Sequence, residues 1–172
     1  MYRRLTTLSM LAVAAALLPH PFNLSPIGAL GLFAGARLPL RIAWLVPAIG
    51  VLSGQLAEGF YSPWVLMGVY SGLIGGPAMG RLLLSRSVSP WRVLGAAMPA
   101  AAWFFLTSNF GIWAAGYYPG TPEGLTDCYL MGLPYLARSL AADILFATLL
   151  FGLPPVLARL WPDLTRRLAA TD

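Results

Sequence analysis

Apolar residues run along this chain in stretches of helical length, separated by short polar connections rich in arginine, glycine and proline. A helix that crosses a bilayer needs about 20 mostly apolar residues, each adding about 1.5 Å of rise. By that measure the pattern predicts six helical segments, over residues 5–19, 26–36, 40–59, 63–84, 91–116 and 136–161. The second is the short one. Its eleven residues rise only about 16 Å, so it is expected either to extend toward Phe22 or to be a short helix supported by surrounding protein. The longest connection, 117–135, exceeds the usual loop and has the length of binding loops and lids. Tyr117 and Tyr118, with Leu125, Cys128, Tyr129 and Leu130, argue against disorder. The expectation is a partly structured lid over one face.

The positive charges fall between these segments in an ordered way. All eleven are arginine, and ten of them (Arg3, Arg4, Arg37, Arg41, Arg81, Arg86, Arg92, Arg159, Arg166 and Arg167) lie at alternate turns. By the positive-inside rule that side is cytoplasmic, which places both termini inside. The opposite connections carry Glu58, Glu123 and Asp127, with Arg138 and Asp143 in the opening turns of the last predicted helix. The expected fold is therefore an all-α integral membrane protein of one domain over residues 1–172: a six-helix transmembrane bundle, multi-pass, in a bacterial cytoplasmic (inner) membrane. A cleaved signal peptide is the rival reading of the N-terminus, since Arg3 and Arg4 precede an apolar run. The small residues at Ala12 to Ala16 lie inside that run, with Leu17, Leu18 and Pro19 still to follow, which favours a retained helix.

Composition agrees. The chain is 58% hydrophobic and 10% charged, against roughly 25% charged in a soluble domain, and its mean hydropathy is +0.72. A pI near 9.9 would suggest nucleic acid in a soluble protein. Here the arginines flank apolar stretches instead of forming a patch with interleaved aromatics, so no nucleic-acid partner is expected. A single cysteine and a single histidine exclude an intrachain disulfide, an all-cysteine metal site and a bis-histidine haem held by one chain. No metal site is expected, and the sequence leaves any cofactor unknown.

Small residues repeat every four positions at Gly68, Gly72, Gly76 and Gly80, and again at Gly50 with Gly54, Gly31 with Gly35 and Ala12 with Ala16. Such spacing forms a smooth helix face that lets another backbone approach closely. Packing within the chain is the ordinary use of such a face. The sharper expectation is that Ala12 and Ala16 dock a separate subunit.

Polar and aromatic residues collect at the outer ends of the predicted helices. From these the candidate substrate-binding set is Asn23, Asn109, Trp113, Tyr118, Cys128, Tyr129, Arg138 and Asp143. Aromatics supply flat contact area while a few polar groups fix orientation; an interfacial aromatic belt is the competing explanation. Asp143 lies about two turns inside its helix, where an ionised carboxylate is costly unless partnered or facing water. It should point inward. Arg138 is five residues away, not the favoured three or four, so a partner from another helix is expected. Cys128 is a metal or corrin ligand, a reactive thiol or a small packed hydrophobe; His20, between two prolines, is a helix-end residue or a ligand.

The segments PFNLSPIGALGLFAGARL (Pro21 to Leu38), FFLTSNFGIW (Phe104 to Trp113), YPGTPEGLTDCY and GLPYLARSLAADILFATLLFG (within Tyr118 to Gly152) resemble an uncharacterised bacterial family of small transport-type membrane proteins that carry a domain of unknown function. That family in turn resembles the S components of energy-coupling-factor (ECF) transporters, six-helix proteins that bind a vitamin or metal ion from outside and associate with an ATPase-driven module. The resemblance implies a coupling module as partner, Ala12 and Ala16 as the face that meets it, and the loop before the last helix as a substrate gate. A corrinoid is one substrate it suggests, although Cys128 does not match the position of the cobalt-ligating cysteine in the cobalamin-binding group.

The expected function is a membrane-embedded subunit that binds a small micronutrient for uptake. No G-x-x-x-x-G-K-[ST] motif and no lysine is present, so ATP hydrolysis would fall to partners. The alternatives are a structural or assembly subunit of a larger membrane complex without a small ligand, and a membrane enzyme, for which one His, one Cys and few carboxylates give thin material.

Overall fold

A serine or threonine followed by proline opens three of the long helices. The computed structural model describes residues 2–18 and 24–160, and within them every regular element is helical. Ser62 Oγ accepts the Val65 amide at 3.4 Å to start α5 (Pro63–Gly72). Ser89 Oγ accepts the Arg92 amide at 3.3 Å to start α7 (Pro90–Ala114). Thr121 Oγ1 accepts the Gly124 amide at 3.2 Å to start α8 (Pro122–Leu160). In each case proline takes the first helical position, where its missing N–H forfeits no intrahelical bond. Glycines with positive φ close α4 and α7: Gly59 at 109° and Gly116 at 84°, a conformation that a Cβ would strain.

The third such start corrects one expectation. Residues 117–135 are not a lid loop: the connection ends at Thr121, and from Pro122 the chain is helical through the rest of the expected loop and on to Leu160. The last helix therefore begins at 122 rather than 136 and has 39 residues. Pro119, Gly120, Pro122, Gly124, Gly132 and Pro134 look like breakers in sequence. Gly124 and Gly132 instead permit close contact: a Cβ on Gly124 would strike the Pro119 carbonyl, and one on Gly132 would stand 2.6 Å from Asn109 Oδ1.

Proline also interrupts two of the expected continuous helices. Pro47 has no N–H for the carbonyl of Ala43 and its ring crowds that carbonyl; α3 (Leu40–Ala43) stops there and α4 (Leu45–Glu58) begins two residues on. Pro77 stands in the same relation to Leu73, just past the end of α5. The chain resumes as α6 (Gly75–Met79) and a π-helical turn (Gly80–Leu84). The Ser71 carbonyl, beside this break, accepts Trp103 Nε1–H at 3.1 Å.

Around these breaks the bundle closes on α2 (Ile27–Arg37), whose residues Ala29 to Leu32 and Ala34 to Ala36 are buried. It packs against α6, α8, the π turn, α4 and α1 (Tyr2–Leu17). A Cβ on Gly31 would stand 3.3 Å from Pro77 Cδ and 3.6 Å from Pro47 Cγ, and Gly35 lies directly on the Pro77 backbone. Both proline breaks thus converge on α2. Its first residue sits at mid-height: a Cβ on Gly50, about halfway along 40–58, would stand 3.1 Å from Ala12 Cβ and 3.3 Å from Ile27 Cδ1. The short second helix is real, about half a span long and supported on all sides.

Alanine fills much of the core, as at Ala29, Ala96, Ala97, Ala100, Ala142 and Ala147, while Met10, Leu56, Met67, Leu82 and Trp91 are more than 60% exposed. Small inside and large apolar outside is the arrangement of a bundle packed by close backbone approach in an apolar solvent. Three helices, Leu40–Glu58, Pro90–Ala114 and Pro122–Pro155, are long and apolar enough to cross a membrane; Arg4–Leu17 and Ile27–Arg37 are shorter apolar helices.

Candidate functional site

Asp143 is 7% exposed and points from α8 into the bundle, onto the start of α2. The carboxylate accepts a hydrogen bond from the Ala29 amide, one of the orphan donors at a helix N-terminus. Gly28 makes the approach feasible, since any Cβ there would collide with both carboxylate oxygens. The local cap of α2 is otherwise weak: Pro26 gives no side-chain cap, and the Ile27 amide reaches Ser25 Oγ only at 3.4 Å. A negative group at this position also suits the positive end of the helix dipole. The expected partner from another helix is therefore α2 backbone rather than an arginine. Arg138, on the exposed side of α8, lies over the Tyr135 ring at 6.0 Å. Arg138 and Asp143 face different surroundings, in keeping with their five-residue spacing.

The remaining candidates come together at the α7–α8 seam, but their polar atoms are turned to backbone. Asn109 Nδ2 donates to the Phe105 carbonyl at 2.8 Å. The Cys128 thiol, 2% exposed, donates to the Asn109 carbonyl at 3.4 Å. Tyr129 hydroxyl donates to the Leu106 carbonyl at 2.8 Å, with its ring edge-on to Phe105 at 5.5 Å. Trp113 Nε1 donates to the Pro119 carbonyl at 2.9 Å and packs on Phe110. Cys128 and Tyr129 thus tie the early turns of α8 to α7, Trp113 ties the connection before α8 to α7, and Asn109 bonds within α7. Cys128 is here a small packed hydrophobe, and Tyr118 is half-buried in the connection nearby. Asn23 and His20 lie outside the described residues.

Ala12 and Ala16 do not present a free docking face. Ala12 is wholly buried against Gly50, and Ala16 faces Gly54 with about van der Waals spacing. The small faces of α1 and α4 complete each other within one chain, which is the usual fate of such a motif.

Residues 2–164 match the model of a family described as "Family of unknown function (DUF6580)". The chain belongs to DUF6580. No curated protein and no solved structure matches it.

Beyond the expected residues, this DUF6580 chain buries a polar pair between α4 and α5. Gln55 is 4% exposed; its Oε1 accepts a long 3.5 Å bond from Tyr70 hydroxyl, and its Nε2 has no partner. A buried amide left half-satisfied is uncommon and calls for an acceptor. In the sequence a lone Gln near a helix end carries no sign of which way it turns. The surface of the described residues also carries open apolar grooves. One, of about 300 Å³, runs along α8 by Leu125, Tyr129 and Leu133. Another, of about 360 Å³, lies between α5 and α7 above Gly68 and Gly111. Neither includes Asp143. Among the described residues no three of His, Cys, Asp and Glu come together as metal ligands.

Proposed function

We propose that this protein is a membrane-embedded substrate-binding subunit for uptake of a small micronutrient, of the S-component kind, and a binder rather than an enzyme. In this reading the chain forms a six-helix bundle in a bacterial inner membrane, the half-length α2 among the six, with the arginine-rich end and both termini in the cytoplasm, and an ATPase-driven coupling module works as partner. The observation that carries it is the half-length α2 with the Asp143 carboxylate on its N-terminus at mid-height in the bundle. An ionisable group at membrane depth is a functional-site residue by default. Helices interrupted inside the membrane, with half-helix ends at the midplane, are how many transporters build their substrate sites. Arg138, exposed on a different face of α8 and without an acidic partner among the described residues, would be a polar contact separate from Asp143.

The test is mass spectrometry of small molecules and protein chains released from the protein purified in mild detergent, alongside Asp143→Asn and Arg138→Gln. A stoichiometric small molecule, lost from either variant while the fold persists, is the expected result. A ligand-free preparation that always brings the same membrane partners would replace this reading with the second one, a structural subunit. That alternative draws on the polar groups of the α7–α8 seam, which are spent on backbone, and on the open, apolar character of both grooves.

A further inference from the structure

We infer that the arginine-rich end of the bundle holds an acidic phospholipid headgroup, with Arg37 as its preorganised contact. The Arg37 guanidinium lies 5.7 Å from the centroid of Phe33 and 5.8 Å from that of Phe151, two rings that themselves meet at 4.9 Å. A long flexible side chain is thereby held on a platform of α2 and α8, while Arg37 as a residue remains exposed. Stacking uses the faces of the guanidinium and leaves its N–H edge for planar, bidentate recognition of a phosphate.

The neighbourhood has the charge and the apolar anchors to match. Leu38, which follows Arg37, packs in one cluster with Leu8, Ala43 and Val46, so the starts of α1 and α3 share this end of the molecule, and α2 also packs on the π turn. Arg4, Arg41, Arg81, Arg86 and Arg92 are exposed there. Only Arg92 is drawn back to the chain, donating to the Leu83 carbonyl at 3.2 Å. Among the described residues the acids are Glu58, Glu123 and Asp127 at the opposite end and Asp143 in the interior, so none offsets these arginines. Leu40, Trp44, Leu82 and Trp91 are exposed beside them, the residue types that settle at the boundary between acyl chains and headgroups. Arg37 also offsets the dipole at the end of α2, but that role predicts no lipid preference, so the two are separable.

Native mass spectrometry of the purified full chain in neutral detergent, titrated with phosphatidylglycerol or with phosphatidylcholine of the same acyl chains, tests the inference. Phosphatidylglycerol should be retained in preference, the preference should fall as ionic strength rises, and the double variant Arg37→Gln/Arg41→Gln should reduce it roughly tenfold. Equal retention of the two lipids by the unaltered protein overturns the inference, as does an unchanged preference in the folded double variant. If that variant does not fold, the salt series on the unaltered protein decides, and a preference insensitive to salt is the overturning result.

Discussion

Asp143 takes the Ala29 amide and Gly28 leaves space for its oxygens, so a single carboxylate joins α8 to the first turn of α2. Asn at 143 keeps an acceptor for that amide, whereas Leu leaves it unmade. Asp143→Leu should therefore cost about 1–3 kcal/mol and Asp143→Asn clearly less, measured as unfolding midpoints in detergent. Gly28→Ala tests the other half of the contact. It should destabilise at least as much as Asp143→Leu, while Gly95→Ala, where an added Cβ meets nothing within 4 Å, should be neutral or stabilise by about 0.5–1 kcal/mol. A Gly28→Ala protein as stable as the unaltered one would place the carboxylate elsewhere. At the α7–α8 seam, Tyr129→Phe removes one hydrogen bond and keeps the ring, for an expected loss of about 1 kcal/mol.

At the scale of the element, what sequence could and could not tell follows from local and distant causes. Ser62–Pro63, Ser89–Pro90 and Thr121–Pro122 are one start signal used three times. The first two coincide with predicted helix starts because an unbroken apolar run follows each. The third is masked by the glycine and proline that cluster after it, and the contact that Gly132 makes with Asn109 comes from another helix and leaves no mark within the segment. The breaks at Pro47 and Pro77 were legible from the rule that proline disrupts the bond to the residue four before it, and apolar character alone hid them. Asp143 was expected to turn inward and does; its partner could not be foreseen, because a backbone amide leaves no mark in a sequence. The extended α8 makes a direct prediction for Cys128. Its thiol should resist a maleimide in native micelles and react only after denaturation, whereas rapid native labelling would restore an open loop at this position.

For the whole molecule, the segregation of arginine at one end was plain in the sequence, and the three longest apolar helices follow from length and composition. The number of crossings implied by the proposed function is open to measurement. Single cysteines introduced at Gly120 and at Val88 should differ in intact cells, the first labelled by a membrane-impermeant thiol reagent and the second protected; labelling of Val88→Cys alone would invert the bundle. The interior has a further consequence for how such a protein is studied. Thirteen of the 25 buried apolar residues among the described ones are already alanine. Alanine scanning, which finds cores by deleting side chains, would register Leu32, Leu38, Val46 and Leu84 but leave Ala12, Ala29, Ala96 and Ala147 untouched, and so see only half of the interior. Enlargement is the informative perturbation here: a leucine scan along α2, α6 and the middle of α7 would trace the hidden contact surface, each intolerant position marking a place where two backbones meet.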